Sequence, residues 1–198
     1  MEISKRLLDR FYVLDEIRKK DEIKVLHISD TPANIYSFIF SAIDRLKPDY
    51  IIHTGDLVDN VKLGSGASLT SYKKGLNDFL KRFGEIEWAE KYIVPGNHDD
   101  LKVIEEMAEE GICVYKEGTT IDIKGIKIGL AHYKEKLPDN AAINLYGHDK
   151  TVVKNSKNLY LNGLLDVNII ILPKKEVHKL SYPLQTDNGR QYKRLKLP

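Results

Sequence analysis

Polar side chains of the types that bind divalent metal ions follow short apolar runs at several points of this 198-residue chain. Most of them come directly after a strand-like run, and the carboxyl ends of parallel strands meet at one edge of a sheet. Carboxylates, an amide oxygen and imidazoles gathered there suit one divalent ion, or two ions that share a carboxylate and promote phosphate ester hydrolysis. The segments are Ser29–Pro32, Gly55–Asp59, Gly96–Asp99, Ala131–His132 and Tyr146–Lys150.

Hydrophobic periodicity places these segments on an α/β framework. Helical and strand-like runs alternate in the first half of the chain, and short strands follow one another in the second half. That order predicts a sheet with parallel strands and then a more antiparallel region. Strands are predicted at residues 23–28, 50–53, 92–94, 112–115, 119–123, 126–131, 143–146, 159–161, 167–172 and 176–181, and helices at 3–19, 34–46, 76–83 and 101–110.

The ordered segments resemble the motifs of the calcineurin-like metallophosphoesterase superfamily, which read D-x-H, GD-x-x-D, GNHD, a lone His and GH-x-H. The small bacterial and archaeal phosphodiesterases of that superfamily are the most similar type, and the resemblance runs from about Ile23 to Lys150. It implies a four-layer αββα sandwich, in which two packed mixed β-sheets are flanked by helices. It also implies a metal-dependent phosphoester hydrolase, in this case a phosphodiesterase.

The resemblance implies two metal positions, of which only the second is complete here. The second position uses four residues that are all present, namely Asp56, Asn97, His132 and His148. The first position keeps Asp30 and shares Asp56. It has Pro32 and Lys150 where the family has histidines, and neither replacement is an ordinary metal ligand, because proline has no donor atom and lysine is normally protonated.

The concentration of both losses at one position predicts one tightly bound ion rather than two. We expect the Lys150 ammonium to lie between Asp30 and Asp56 and to compensate their charge, or to contact substrate phosphate. The alternative is a surface lysine that drifted after the position lost its role. Mixed nitrogen and oxygen ligands suit manganese, iron, zinc or nickel.

Two further residues are predicted to act in catalysis, and a third to contact substrate. In the family, the histidine that matches His98 contacts phosphate and is held by the aspartate that matches Asp99. Such a pair supports the charged imidazole, which can protonate a leaving oxygen. Asn34 contacts substrate or caps a helix. His27 and His53 lie inside apolar runs and are predicted to be hydrogen-bonded core residues.

Bulk properties favour one domain over residues 1–198, with a helical extension at 1–20 and a basic strand and tail at 174–198. The tail has seven Lys/Arg against two acids and is interpreted as solvated. Residues 1–10 lack the apolar region of a signal peptide, and no run is long enough to span a membrane, so we expect a cytoplasmic protein. Cys113 cannot form an internal disulfide and is predicted to be a buried thiol.

An active phosphoesterase that acts on a phosphoester substrate is the first functional hypothesis. The second is a binding or scaffold protein on the same fold, as in the retromer scaffold subunit that resembles this family but lacks its activity. The complete second position favours the enzyme, and the losses at Pro32 and Lys150 keep the scaffold open. Nucleic acid as a partner is supported by the basic tail alone. The oligomeric state stays open.

Overall fold

The computed structural model describes residues 12–190, which form ten strands and five short to medium helices. The helices are α1 (residues 12–18), α2 (Tyr36–Leu46), α3 (Leu69–Gly84), α4 (Leu101–Met107) and α5 (Thr186–Gly189), with 3-10 turns at Ala33–Ile35 and Lys134–Lys136. The strands are β1 (Ile23–Ile28), β2 (Tyr50–His53), β3 (Glu90–Ile93), β4 (Ile112–Val114), β5 (Thr119–Ile123), β6 (Ile126–Leu130), β7 (Ile143–Tyr146), β8 (Leu159–Asn162), β9 (Asp166–Leu172) and β10 (Glu176–Ser181).

The larger sheet has six strands in the order β10-β9-β1-β2-β3-β4. Strands β1 to β4 are parallel, whereas β9 pairs with β1 and β10 in antiparallel fashion. Ile28 of β1 lies opposite His53 of β2, and His53 lies opposite Ile93 of β3. The loops that follow these three strands therefore leave the sheet side by side at one edge.

The smaller sheet has four strands in the order β5-β6-β7-β8. Strand β5 is antiparallel to β6, and β6, β7 and β8 run parallel. Leu130 at the end of β6 lies opposite Leu145 of β7. His132 and His148 follow these two strands, so the second sheet delivers both imidazoles from adjacent strand ends.

Two apolar clusters hold the layers together. One lies between the sheets and includes Val25 and Ile52 of the larger sheet and Ile128 and Leu145 of the smaller one, all fully buried. The other lies on the opposite face of the larger sheet, where α1 to α4 pack. Outside the smaller sheet, the Pro138 ring packs onto the backbone of β6. The predicted fold class, two mixed sheets with flanking helices, is confirmed.

Two predictions about exposure were wrong. Cys113 is exposed, because β4 is the edge strand of its sheet. The basic segment 174–198 is described as far as residue 190, and there the Arg190 side chain is buried rather than solvated; residues 191–198 lie outside the described part of the chain. The predicted helix over 3–19 is helical at 12–18, and its earlier residues lie outside the described part of the chain. Within residues 12–190, no helix has the length and apolar character needed to cross a membrane.

Candidate metal centre

Three of the five predicted metal ligands lie on sharply turning backbone at the ends of strands. Asp30, Asp56 and His148 all have positive φ angles, of 52°, 54° and 69°. Side chains rarely adopt this left-handed conformation, and when they do, the surrounding structure must hold it. The turns redirect the chain shortly after β1, β2 and β7, and they bring the three side chains into one space.

Glycines let the loops after β2 and β3 approach each other closely. A Cβ atom added to Gly96 would lie 2.3 Å from Oδ1 of Asp56, and one added to Gly55 would lie 2.6 Å from the Gly96 nitrogen. Gly55 also has a φ of 103°, which favours glycine. Both positions therefore require the absence of a side chain for the two loops to form the site.

Four atoms that could bind a metal ion at the second position converge in this space. The Asn97 Oδ1 atom lies 2.9 Å from Nδ1 of His148 and 3.0 Å from Nε2 of His132. The two imidazole nitrogens are 3.3 Å apart, and Oδ2 of Asp56 lies 3.6 Å from Nε2 of His132. The residues come from four different loops and from both sheets.

The hydrogen-bonding roles of these groups favour a cation between them. His132 donates its Nδ1 proton to the Thr54 carbonyl oxygen at 2.8 Å, so Nε2 is the nitrogen whose lone pair a metal ion would bind. That nitrogen faces the Asn97 oxygen and the Asp56 carboxylate, which are also acceptors. Acceptors at these separations repel one another unless a positive charge lies between them.

The separations also match those of ligands that share one ion. Ligands placed 2.0–2.1 Å from a metal lie about 2.9–3.4 Å apart in octahedral and tetrahedral geometries. The observed 2.9, 3.0 and 3.3 Å fall in this interval, and 3.6 Å lies just beyond it. Asp56, Asn97, His132 and His148 therefore fit a divalent ion both by geometry and by chemical type.

The pKa shifts inside the cluster also favour a bound cation. Burial raises the pKa of the Asp56 carboxyl well above its ordinary value, and the nearby Asp30 carboxylate adds to the effect. Burial lowers the pKa of the His148 imidazole, and His132 adds to it. A neutral imidazole is the form that binds metal. A bound cation would relieve the charge repulsion between the two carboxylates.

Asp30 lies beside this cluster, on the side of the first metal position. Ligand atoms of Asp30, Asp56 and His132 all lie within 4.8 Å of one another. Oδ2 of Asp30 accepts a hydrogen bond from the His148 backbone at 3.1 Å. Pro32, where the family has a histidine, has no donor atom to add. The described residues thus bring together all five predicted metal ligands, four of them around one point.

Lys150 is not placed as predicted. Its ammonium bonds to Oδ2 of Asp187 at 2.5 Å, and its side chain is 55% exposed. Asp30 and Asp56, between which we expected the ammonium, are both buried. The difference arises because α5 brings a carboxylate to the rim of the site, where an exposed lysine reaches it without losing its hydration.

The expected pairing of His98 with Asp99 is not observed. His98 donates its Nδ1 proton to the Leu63 carbonyl oxygen at 3.0 Å. The Asp99 carboxylate points the other way and accepts hydrogen bonds from three backbone N–H groups and one phenol, because neighbouring residues of a tight turn face different directions. These donors are Asp56 N (2.7 Å), Gly96 N (2.8 Å), Leu57 N (3.1 Å) and Tyr72 Oη (3.0 Å). Asp99 therefore supports the loop that presents Asp56.

Asn34 lies in the 3-10 turn Ala33–Ile35, and its predicted capping role was wrong. The caps of that turn and of α2 are Pro32 and Ile35, neither of which makes a side-chain cap. The Asn34 side chain is exposed and lies against Gly189. Its predicted contact with substrate stays a prediction.

The two buried histidines are hydrogen-bonded core residues, as predicted. His27 bonds to Oγ1 of Thr54 at 2.9 Å, and His53 bonds to Oγ1 of Thr31 at 2.8 Å. Both are fully buried, and burial lowers the pKa of each to about 3. They are neutral near pH 7 and stiffen the backbone beneath the site.

Some functional contacts were missed in the sequence. The Tyr133 ring packs on the His148 ring with centroids 4.1 Å apart, and the Tyr72 hydroxyl holds Asp99. Arg190 donates from Nε to the Asp30 carbonyl oxygen at 2.7 Å. Tyr72 could be recognised only as an apolar position of α3. The basic residues around Arg190 gave no signal that one of them turns inward.

Comparisons with known proteins identify the family of the chain. A sequence model described as calcineurin-like phosphoesterase matches residues 23–196. Among curated proteins, none matches the chain at a significant level. One solved structure aligns with 82% of this chain and all of its own length, at 12% identity and a TM-score of 0.60.

Two further solved structures have descriptive names. Yfce, a phosphoesterase from E. coli, aligns at 12% identity and a TM-score of 0.52, with 81% of this chain and 100% of that chain covered. A metallophosphoesterase from Sphaerobacter thermophilus aligns at 12% identity and a TM-score of 0.45, covering 85% and 93%. At 12% identity, the two structures with TM-scores of 0.60 and 0.52 show the fold alone. Because the family match spans most of the sequence, this chain belongs to the calcineurin-like phosphoesterase family, whose chemistry is metal-dependent phosphoester hydrolysis.

Proposed function

We propose that this phosphoesterase hydrolyses phosphodiesters with one divalent ion held by Asp56, Asn97, His132 and His148. The convergence of their four donor atoms at 2.9–3.6 Å is the observation that supports it. An ion bound there supplies a Lewis acid that polarises the phosphoryl group and makes water more acidic. Manganese, iron, zinc and nickel all suit the mixed ligands.

His98 is the proposed proton donor. Its Nδ1 atom is bonded to the Leu63 carbonyl oxygen, which leaves Nε2 as the nitrogen that can hold a proton for the leaving oxygen. The ring is partly exposed, so a substrate can reach it. The His98 backbone N–H donates to Oδ1 of Asp56 at 2.9 Å, which places the residue beside the metal ligands. His98 thus needs no carboxylate partner to be oriented, because the carbonyl fixes the ring.

The proposal is tested by assaying bis-p-nitrophenyl phosphate and p-nitrophenyl phosphate with manganese. We expect faster hydrolysis of the diester, and loss of turnover in Asn97→Ala and His98→Ala. His178→Ala, a histidine change on β10, is the matched control and should keep full turnover. Equal or faster hydrolysis of the monoester would contradict the diesterase assignment.

A binding or scaffold role is the second candidate, and Pro32 and Lys150 at the first position are the observation that favours it. A scaffold would bind a metal ion for structural support without turning over either substrate. A folded, metal-loaded chain that hydrolyses neither phosphoester with manganese, iron, zinc or nickel would support the scaffold and exclude the enzyme.

A further inference from the structure

The C-terminal segment, residues 182–190, lies against the first metal position. The Tyr182 hydroxyl donates to the Gly163 carbonyl oxygen at 2.7 Å and anchors the start of this segment. At its other end, the Gly189 backbone packs on Pro32, where an added Cβ would lie 2.9 Å from the Pro32 Cβ. Asp187 bonds to Lys150. Both residues that depart from the family pattern at the first position therefore contact this segment.

Arg190 ends the segment with a buried guanidinium. Its side chain is 2% exposed, and it donates from Nε to the Asp30 carbonyl oxygen at 2.7 Å and from Nη1 to the Leu164 carbonyl oxygen at 2.9 Å. The guanidinium also lies over the Tyr182 ring, 4.7 Å from its centroid. Among residues 12–190, no group accepts a hydrogen bond from its Nη2 atom, which is buried.

A buried cation needs opposite charge nearby, because removing it from water is costly. Asp187, its direct partner at 3.2 Å, is about half exposed and is shared with Lys150. The buried carboxyl groups on this side are those of Asp30, Asp56 and Asp59, which are 2%, 2% and 0% exposed. The Lys62 ammonium lies 2.7 Å from Oδ1 of Asp59 and forms an ion pair with this one of the three carboxyl groups.

Arg190 lies close to these carboxyl groups, since its Nε atom is 2.7 Å from the Asp30 carbonyl oxygen. Burial raises the pKa of Asp59 to about 7, and Asp30 adds to that effect, whereas Lys62 and Arg190 oppose it. Arg190 bonds directly to the backbone of Asp30, so its guanidinium is fixed in place. Lys150, by contrast, has an exposed side chain.

We propose that Arg190 is a positioning residue that stands in for the first metal ion. Its fixed positive charge holds Asp30 and its neighbouring carboxylates without a second cation, and the segment 182–190 closes the first position. The inference deepens the proposed one-ion phosphoesterase and rests on it. It moves to Arg190 the compensating role that the sequence suggested for Lys150.

Metal binding in charge variants tests the proposal. Wild-type protein, Arg190→Gln, Arg190→Lys and the exposed control Arg45→Gln are titrated with Mn²⁺ by calorimetry, and bound manganese is counted by elemental analysis. We expect one ion in wild type, Arg190→Lys and Arg45→Gln. In Arg190→Gln, a second Mn²⁺ should bind at least about tenfold more tightly than in wild type, because a repelling charge is gone.

A merely structural Arg190 would lower the melting temperature of both variants and leave the metal count unchanged. Identical Mn²⁺ isotherms for folded Arg190→Gln and wild type would therefore overturn the proposal.

A second measurement covers the case in which Arg190→Gln does not fold. Pro32→His with Lys150→His restores both family histidines while Arg190 stays in place. We expect this double variant to bind one Mn²⁺ still, since the guanidinium occupies the electrostatic role of the second ion. Two ions bound with similar affinity in the double variant would contradict the proposal.

These metal counts are independent of turnover. A chain that hydrolyses the diester but binds two ions overturns the role of Arg190 and leaves the enzymatic function standing. A chain that binds one ion in an Arg190-dependent manner, yet hydrolyses nothing, overturns the enzymatic function alone.

Discussion

The two metal positions share a sheet edge and a carboxylate, yet they are built in opposite ways. At the second position, loops from both sheets bring metal-ligand atoms to one point, and His132 is oriented by a backbone carbonyl. At the first position, Asp30 remains, but Pro32 and Lys150 are in contact with the C-terminal segment instead. One position is arranged for a cation, and the other already has a positive side chain beside it.

The proposed one-ion centre keeps the structural frame of a two-ion site. Asp30 accepts from the His148 backbone and thereby helps to hold a ligand of the other position. Asp30 therefore supports the second position even when no ion is bound at the first position. A fixed guanidinium can supply the charge that such a carboxylate needs, but it cannot supply a Lewis acid. In the proposed enzyme, catalysis depends on the second position alone.

Removing a second-position ligand should have the largest effect. His132→Ala should lose the tightly bound ion and lower the rate of diester hydrolysis by about 10³-fold, because a metal contributes several kcal/mol to the stabilisation of the transition state. Steady-state kinetics and elemental analysis check this. His178→Ala should match wild type in both the rate of hydrolysis and the metal content. An active, metal-loaded His132→Ala would contradict the role of the second position as the metal site.

Asp99→Ala should be next in size, as a stability change. The carboxylate accepts from three backbone N–H groups and from Tyr72, and its loss should lower the free energy of unfolding by about 3 kcal/mol. Urea unfolding measures the change. The neighbouring Asp100→Ala removes only the cap of α4 and should cost about 1 kcal/mol. Equal costs for the two variants would contradict this role of Asp99.

His27 allows a test of the frame that both positions share. Its folded pKa of about 3 lies below its unfolded value of 6.5, so below pH 6.5 protons bind preferentially to the unfolded chain and stability falls. Between pH 7.5 and pH 5 wild type should lose about 2 kcal/mol through this residue. His27→Gln cannot make that loss, so its stability deficit relative to wild type should shrink by the same amount.

Unfolding curves of wild type and His27→Gln at the two pH values give the difference directly. A deficit that stays constant or grows between pH 7.5 and pH 5 would show that His27 is not held neutral.

Lys150→Ala should have the smallest effect. Its partner Asp187 and its own side chain are about half exposed, and such ion pairs contribute at most about 1 kcal/mol. We expect the count of bound Mn²⁺ and the rate of hydrolysis to stay close to wild type. A second bound ion or a strong loss of turnover in Lys150→Ala would return the compensating role to Lys150.

Much of the fold was predictable because local patterns report it. Apolar runs with β-branched residues gave β1, β5 and β10 with their observed bounds, and strand ends located Asp30 and Asp56. The four residues of the second position were selected by the resemblance to the family motifs, and the strand pattern adds only that each of them follows a strand. The order of the motifs indicated that His132 and Asn97 belong to one site, although they follow strands of different sheets.

The remainder depends on contacts between distant residues, which a single sequence does not show. Arg190 meets Asp30 across 160 positions of the chain. Lys150 has Asp187 as a partner only because α5 folds back to the site. Adjacency in a turn also misleads: His98 and Asp99 are neighbours in sequence, but their side chains bond to opposite sides of the loop.

The metal content of the wild-type protein tests the contrast between the two positions most directly. Purified chain loaded with excess Mn²⁺ and then desalted is analysed for manganese per protein. We predict one ion per chain, lost in His132→Ala and kept in Lys150→Ala. Two retained ions per wild-type chain would contradict it.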